Sequence, residues 1–259
     1  MDGLTLGLLL PLAGTTLGAA CVFSIRRRIP DMLNKLLTGF AAGVMVAASV
    51  WSLLIPAIES GPDGSFLRVV PAAAGFIAGM AFLLVLDIAV PHQHINGSLN
   101  EGPKSGLSRT TKLIFAVTMH NIPEGMAVGV SLAAAMENNA YIPMAGALAL
   151  SAGIALQNIP EGAIVSMPLR AAGNSRRRAF VIGCLSGVVE PVAAALAVWL
   201  TVWTLPLLPY MLAFAAGAMM YVVVEELIPE TQEGRHSNMG TVGFTAGFVL
   251  MMMLDVALG

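Results

Sequence analysis

The chain has 259 residues, 57% of them hydrophobic and only 11% charged, against roughly 25% charged in an ordinary soluble domain. A soluble core of this length has no room for that much apolar surface, so much of it must face lipid, and the expected fold class is an all-α membrane protein forming one transmembrane domain over 1–259. A formal net charge of −2 without a basic tract gives nucleic acid no foothold, and two cysteines inside apolar segments, Cys21 and Cys184, form no disulfide framework.

Apolar stretches near the ~20 residues that cross a bilayer fall at about 4–25, 33–57, 67–90, 111–135, 142–169, 179–202, 206–229 and 239–258. The first has no Lys or Arg before it and Arg26, Arg27 and Arg28 after it. A secretory signal carries its charges the other way round, so this segment reads as a first span. The runs are continuous rather than alternating, which favours eight transmembrane helices over barrel strands. One long polar connection, at about 91–110, contains Pro, Gly, Ser, Asn and two histidines, His92 and His94.

Twelve of the 13 Lys and Arg fall in the loops between spans one and two, three and four, five and six, and seven and eight; only Arg68 lies on the other side. The positive-inside rule then makes those loops cytoplasmic and both termini extracytoplasmic.

Three segments recur. Phe40-Ala41-Ala42-Gly43-Val44-Met45 in span two matches Phe214-Ala215-Ala216-Gly217-Ala218-Met219 in span seven. Gly75-Phe76-x-Ala78-Gly79 with Leu86-Asp87 in span three matches Gly243-Phe244-x-Ala246-Gly247 with Leu254-Asp255 in span eight, and Gly7-x-x-x-Pro11 matches Gly187-x-x-x-Pro191 more weakly. Helices 1–3 therefore recur as 6–8, and the odd offset of five inverts the second copy in the membrane. Between the copies, His120-Asn121-Ile122-Pro123-Glu124-Gly125 matches Gln157-Asn158-Ile159-Pro160-Glu161-Gly162. Inverted repeats around proline-interrupted helices are a transporter pattern, with the substrate site near mid-membrane.

Three carboxylates lie deep in a span: Glu124, Glu161 and Glu190. Counted from Lys112, Arg170 and Arg178 at ~1.5 Å per residue, they sit about 18, 14 and 18 Å deep, the middle of a ~30 Å core. No Lys or Arg shares that depth, so a divalent cation is the natural partner. His120 and Glu124 are i, i+4 and share a helix face with Asn121; Gln157, Asn158 and Glu161 repeat the pattern. Pro123 and Pro160 each remove an N–H and kink the helix where these residues sit. Asn121, Gln157 and Asn158 read as ligands or as interhelical hydrogen-bond glue. Met45 and Met219 read as core or as soft thioether ligands. A second cluster, Asp87, His92 and His94 with Glu225, Glu226, Glu230 and His236, lies at the cytoplasmic mouth, as solvated loop polarity or as a weak release path.

The HNIPEG and QNIPEG segments, the FAAG-x-M motif, the VVEPVAA stretch and the closing GTVGFTAGFVLMMMLDVALG resemble the ZIP (Zrt/Irt-like) metal transporters, in particular their bacterial GufA-like branch. The resemblance covers essentially all eight spans. It implies zinc uptake toward the cytoplasm across a bacterial inner membrane, by a homodimer, with the metal as transported substrate and no cofactor. It also implies two adjacent metal positions bridged by Glu124 and Glu161. One would add Met45, His120 and Gln157; the other Asn121, Asn158 and Glu190. Ser52 and Glu59 match the family's extracellular entrance. Some relatives have an acidic residue where this chain has Asn158, and many have His where it has Gln157, so the set here is less charged.

An intramembrane metalloenzyme would show a base-bearing motif such as HExxH and an open position for water. One intramembrane histidine and carboxylates spread over symmetric repeats argue instead for a carrier working by alternating access. A mere scaffold has no use for three buried Glu, and tight multidentate binding suits a carrier better than a channel. The donor set suits zinc, and also cadmium, iron or manganese.

Overall fold

The computed structural model describes residues 2–24, 30–61, 65–90, 109–137, 141–203, 205–234 and 237–258. All regular structure among them is helical. Eight helical spans result: α1 (Gly3–Ser24), α2 (Asp31–Glu59), α3 (Phe66–Ala89), α4 (Arg109–Met136), α5 (Met144–Ala171), α6 (Arg176–Thr201), α7 (Leu208–Gln232) and α8 (Met239–Leu258). By length and composition seven of these are able to cross a membrane. The remaining helix, α4, is 28 residues long, also long enough to span a bilayer.

The helices pack most extensively in four pairs: α2 with α8, α3 with α7, α1 with α5, and α4 with α6. Glycine makes the crossings close. A Cβ placed on Gly43 would lie 2.1 Å from the carbonyl oxygen of Phe244, and one on Gly247 2.1 Å from that of Phe40. In the α3–α7 pair, Gly79 backs onto Phe214 at 2.0 Å and Gly217 onto Phe76 at 2.1 Å in the same sense. No other residue type fits these backbone-to-backbone contacts, which suits association in lipid, where close van der Waals packing replaces hydrophobic burial. Around them a core of Ala, Val, Leu and Met forms, with Met45 and Met219 fully buried in it.

Two spans each contain a π turn. Ser49–Leu54 in α2 and Val223–Leu227 in α7 are π-helical, with the Ile55 and Ile228 N–H groups reaching back to Val50 O and Val223 O. Each π turn is followed at once by a proline, Pro56 or Pro229. Such turns accommodate one extra residue and frequently occur at functional positions. The span α6 is interrupted at Val188, just ahead of Glu190-Pro191.

Candidate metal centre

Helices α4 and α5 each carry a proline at mid-length, Pro123 and Pro160, and between them they gather the polar residues of the interior. Asn121, Glu124, Gln157 and Asn158 are 0% exposed and Glu190 is 1% exposed. A buried polar group without a partner costs on the order of 1–3 kcal/mol, so each of their atoms should be paired. Most are. Gln157 Nε2 donates to Glu124 Oε1 and, at 3.3 Å, to Asn158 Oδ1. Asn158 Nδ2 donates to Glu190 Oε2 at 2.7 Å and to Pro11 O at 3.3 Å. Asn121 Nδ2 donates to Glu190 Oε1 at 2.8 Å and to Ser186 O, beside the break in α6, at 3.4 Å. Thr15 of α1 completes the chain by donating to Glu190 Oε1 at 3.1 Å.

Four oxygens of this set are left over. Asn121 Oδ1, Glu124 Oε2, Gln157 Oε1 and Glu161 Oε2 are buried atoms with no hydrogen-bond partner among the described residues. All four are acceptors, and all belong to the matched segments of α4 and α5, which pack on each other. Native interiors leave few such atoms, and a cluster of one polarity calls for a group of the opposite polarity. Oxygen donors of this kind, with an imidazole nearby, suit a divalent ion of the zinc type. Among the described residues, His, Cys, Asp and Glu alone form no group of three able to hold a metal, so an ion here would draw on the amide oxygens as well.

Glu161 is only half-buried because it borders a narrow cavity of about 30 Å³, room for roughly two water molecules, which is also lined by Thr38, His120, Glu226 and Glu230. Among the described residues, no lysine or arginine lines it. The π turn of α7 brings Glu226 directly against the His120 ring, while Glu225 beside it is exposed. Glu226 therefore stands at the metal-site candidates rather than out at a mouth. Glu230 accepts from Asn34 Nδ2 at 2.9 Å, one turn further along.

The remaining sequence candidates are dispersed. Met45 lies in the apolar core. The Ser52 hydroxyl donates to Asp255 Oδ1, and Glu59 is exposed at the end of α2. Asp87 accepts from the Tyr221 hydroxyl at 3.1 Å. His92, His94 and His236 lie outside the described residues. Thr15 and Asp255 were not among the candidates. Asp255 had a signal, as the repeat partner of Asp87; Thr15, one turn beyond Pro11, had none.

The family profile described as "ZIP Zinc transporter" matches residues 91–255. The chain belongs to the ZIP zinc transporter family. This ZIP chain is 41% identical over 264 residues to the zinc transporter GufA of Myxococcus xanthus, covering 96% of each. It is 38% identical over 327 residues to human zinc transporter ZIP11, covering 95% of this chain and 94% of the relative. With zinc transporter ZIPB of Bordetella bronchiseptica it shares 37% identity over 264 residues, covering 95% of this chain and 78% of that one. The similarity to GufA agrees with the GufA-like branch. ZIP proteins are membrane transporters, not enzymes, which removes the intramembrane metalloenzyme reading.

Proposed function

We propose that this protein carries zinc across the membrane toward the cytoplasm, through a site built on the matched segments of α4 and α5. The observation that carries the reading is the set of four orphaned acceptor oxygens at Asn121, Glu124, Gln157 and Glu161, with His120 and Glu226 alongside. A cation satisfies all of them at once, and among the described residues no lysine or arginine lines the cavity to do so.

The direction follows from the positive-inside assignment of both termini to the extracytoplasmic side. The cavity then runs from His120 and Glu161 toward Glu230 and the cytoplasmic ends of α2 and α7. The inverted repeat is supported by matched helix crossings. Phe40 and Gly43 contact α8 as their counterparts Phe214 and Gly217 contact α3, and the partners, Phe244 with Gly247 and Phe76 with Gly79, correspond too. Two half-structures of opposite sense allow one fold to open to either side in turn. The working unit is read as a homodimer in a bacterial inner membrane.

The test is zinc uptake into proteoliposomes containing the purified protein, with cadmium, iron and manganese as competitors. Zinc accumulation that requires the protein supports the reading; liposomes indistinguishable from empty ones would overturn it. Cysteines introduced singly at Glu59 and Arg177 and labelled from each side in cells fix the orientation. Labelling of both from the same side would contradict it.

A further inference from the structure

Glu190 differs from the other two deep carboxylates in being fully engaged. Its Oε1 accepts from Asn121 Nδ2 at 2.8 Å and Thr15 Oγ1 at 3.1 Å, and its Oε2 accepts from Asn158 Nδ2 at 2.7 Å. A carboxylate only accepts, so an amide this close must turn its N–H₂ toward it. The orientation of both asparagines is thereby dictated by chemistry. Asn158 uses its own oxygen too, accepting from Gln157 Nε2 at 3.3 Å. A cation at the second position, the one expected to use Asn121, Asn158 and Glu190, would find the Asn121 oxygen open but would meet the N–H₂ group of Asn158, which carries the wrong sign and whose oxygen already accepts from Gln157. Admitting it would require the Asn158 amide to flip, breaking its bonds to Glu190 and Pro11 O. Glu124, Gln157 and Glu161, by contrast, each present an oxygen with no donor.

We infer that this protein holds one metal ion per chain, at the Glu124–Glu161 position, and that the hydrogen-bonded hub on Glu190 stands in place of a second ion. The inference rests on the metal-carrier reading above. Its chemical basis is that Asn158 supplies an N–H donor where an acidic residue would supply a further negative charge. The hub has a use of its own. Its donors come from α1, α4 and α5 and its acceptor from α6, so one buried carboxylate ties together four helices around the ion. Glu190 is a positioning residue. Asn158→Asp removes the donor and sets a second carboxylate beside Glu190, and two adjacent carboxylates create a demand for a cation.

The experiment counts metal rather than transport. Full-length protein in lipid nanodiscs is dialysed to equilibrium against saturating Zn²⁺, and zinc per chain is measured by elemental mass spectrometry. One ion is expected for the wild type. One is also expected for Glu190→Gln, which keeps an acceptor oxygen for the hub, with zinc affinity weakened up to about tenfold as for loss of a supporting contact. Two are expected for Asn158→Asp. Two ions in the wild type, one of them lost in Glu190→Gln, would overturn the inference and leave the carrier reading standing. No bound zinc in the wild type would overturn both. A single ion in Asn158→Asp would overturn the role given to Asn158.

Discussion

Gly125 follows Glu124 on α4 at the crossing with α6. A Cβ there would lie 2.4 Å from Glu190 O, 2.9 Å from Glu190 Cα and 3.0 Å from Ala193 Cβ. Two of the three atoms are backbone, so a side-chain rotation cannot relieve Gly125→Ala. The helices must separate until the 2.4 Å contact reaches at least 3.0 Å, the shortest distance Cβ atoms tolerate, at the turn that carries both Glu124 and Glu190. Overpacking of this kind costs about 1–3 kcal/mol, and alanine's better helix propensity returns at most about 1 kcal/mol. If the strain falls on the bound state, it weakens zinc affinity by up to about 150-fold; if it falls on the fold, the unfolding temperature drops. Gly3→Ala is the control, because its Cβ would meet only the flexible Met144 side chain, Sδ at 3.2 Å. Both variants are measured for zinc affinity by calorimetry and for unfolding temperature in the same detergent. A Gly125→Ala protein matching the wild type in both, or a Gly3→Ala protein losing as much, would refute the reasoning.

Glu124→Ala and Glu161→Ala should each abolish radiolabelled zinc uptake at matched surface expression, and Glu161→Gln should come close, since the amide keeps the shape and loses the charge that offsets metal desolvation. Zinc must bind deprotonated carboxylates, so binding should release protons and weaken as pH falls. Calorimetric titrations in two buffers of different ionisation enthalpy should therefore give different apparent enthalpies, and equal ones would count against carboxylate ligation. Glu226→Gln takes a charge from the His120 side of the site and should weaken zinc binding by about tenfold, whereas Glu225→Gln, at an exposed neighbour, should leave it unchanged. Tyr221→Phe removes the hydroxyl that donates to Asp87 and should lower stability by about 1 kcal/mol without changing zinc affinity; a loss of affinity would place Asp87 in the site.

The helical spans were legible because continuous apolar length is a direct consequence of bilayer thickness, and the mid-membrane Glu residues stood out because lipid makes charge costly. Other features had no such signature. Glu225 and Glu226 are adjacent and chemically identical, and only the π turn beneath them decides that Glu226 faces His120. Nothing in Leu227-Ile228-Pro229 taken alone announces a π turn; its echo, Leu54-Ile55-Pro56 in α2, becomes telling only once both turns are seen to precede a proline. Amide direction is invisible too. Asn158 reads as ligand or glue from spacing, and its partners in space, Glu190 and Pro11 O, lie 32 and 147 residues away along the chain.

The two π turns also make α2 and α7 unusually sensitive to a change in chain length. Each stores one residue beyond what an α-helix would use, so deleting a single residue from Val223–Leu227 lets the segment close into ordinary α-helix without breaking the rod. The helix on either side then keeps its register, because the residue lost is the one the π turn held in excess, and only the residues of the turn itself are re-aimed. The helix would still be long and apolar enough to insert, yet Glu226 would swing off His120 while Pro229 and Glu230 kept their spacing. A deletion that leaves folding intact and disarms the site is the opposite of what a one-residue loss does in most helices, where both suffer together.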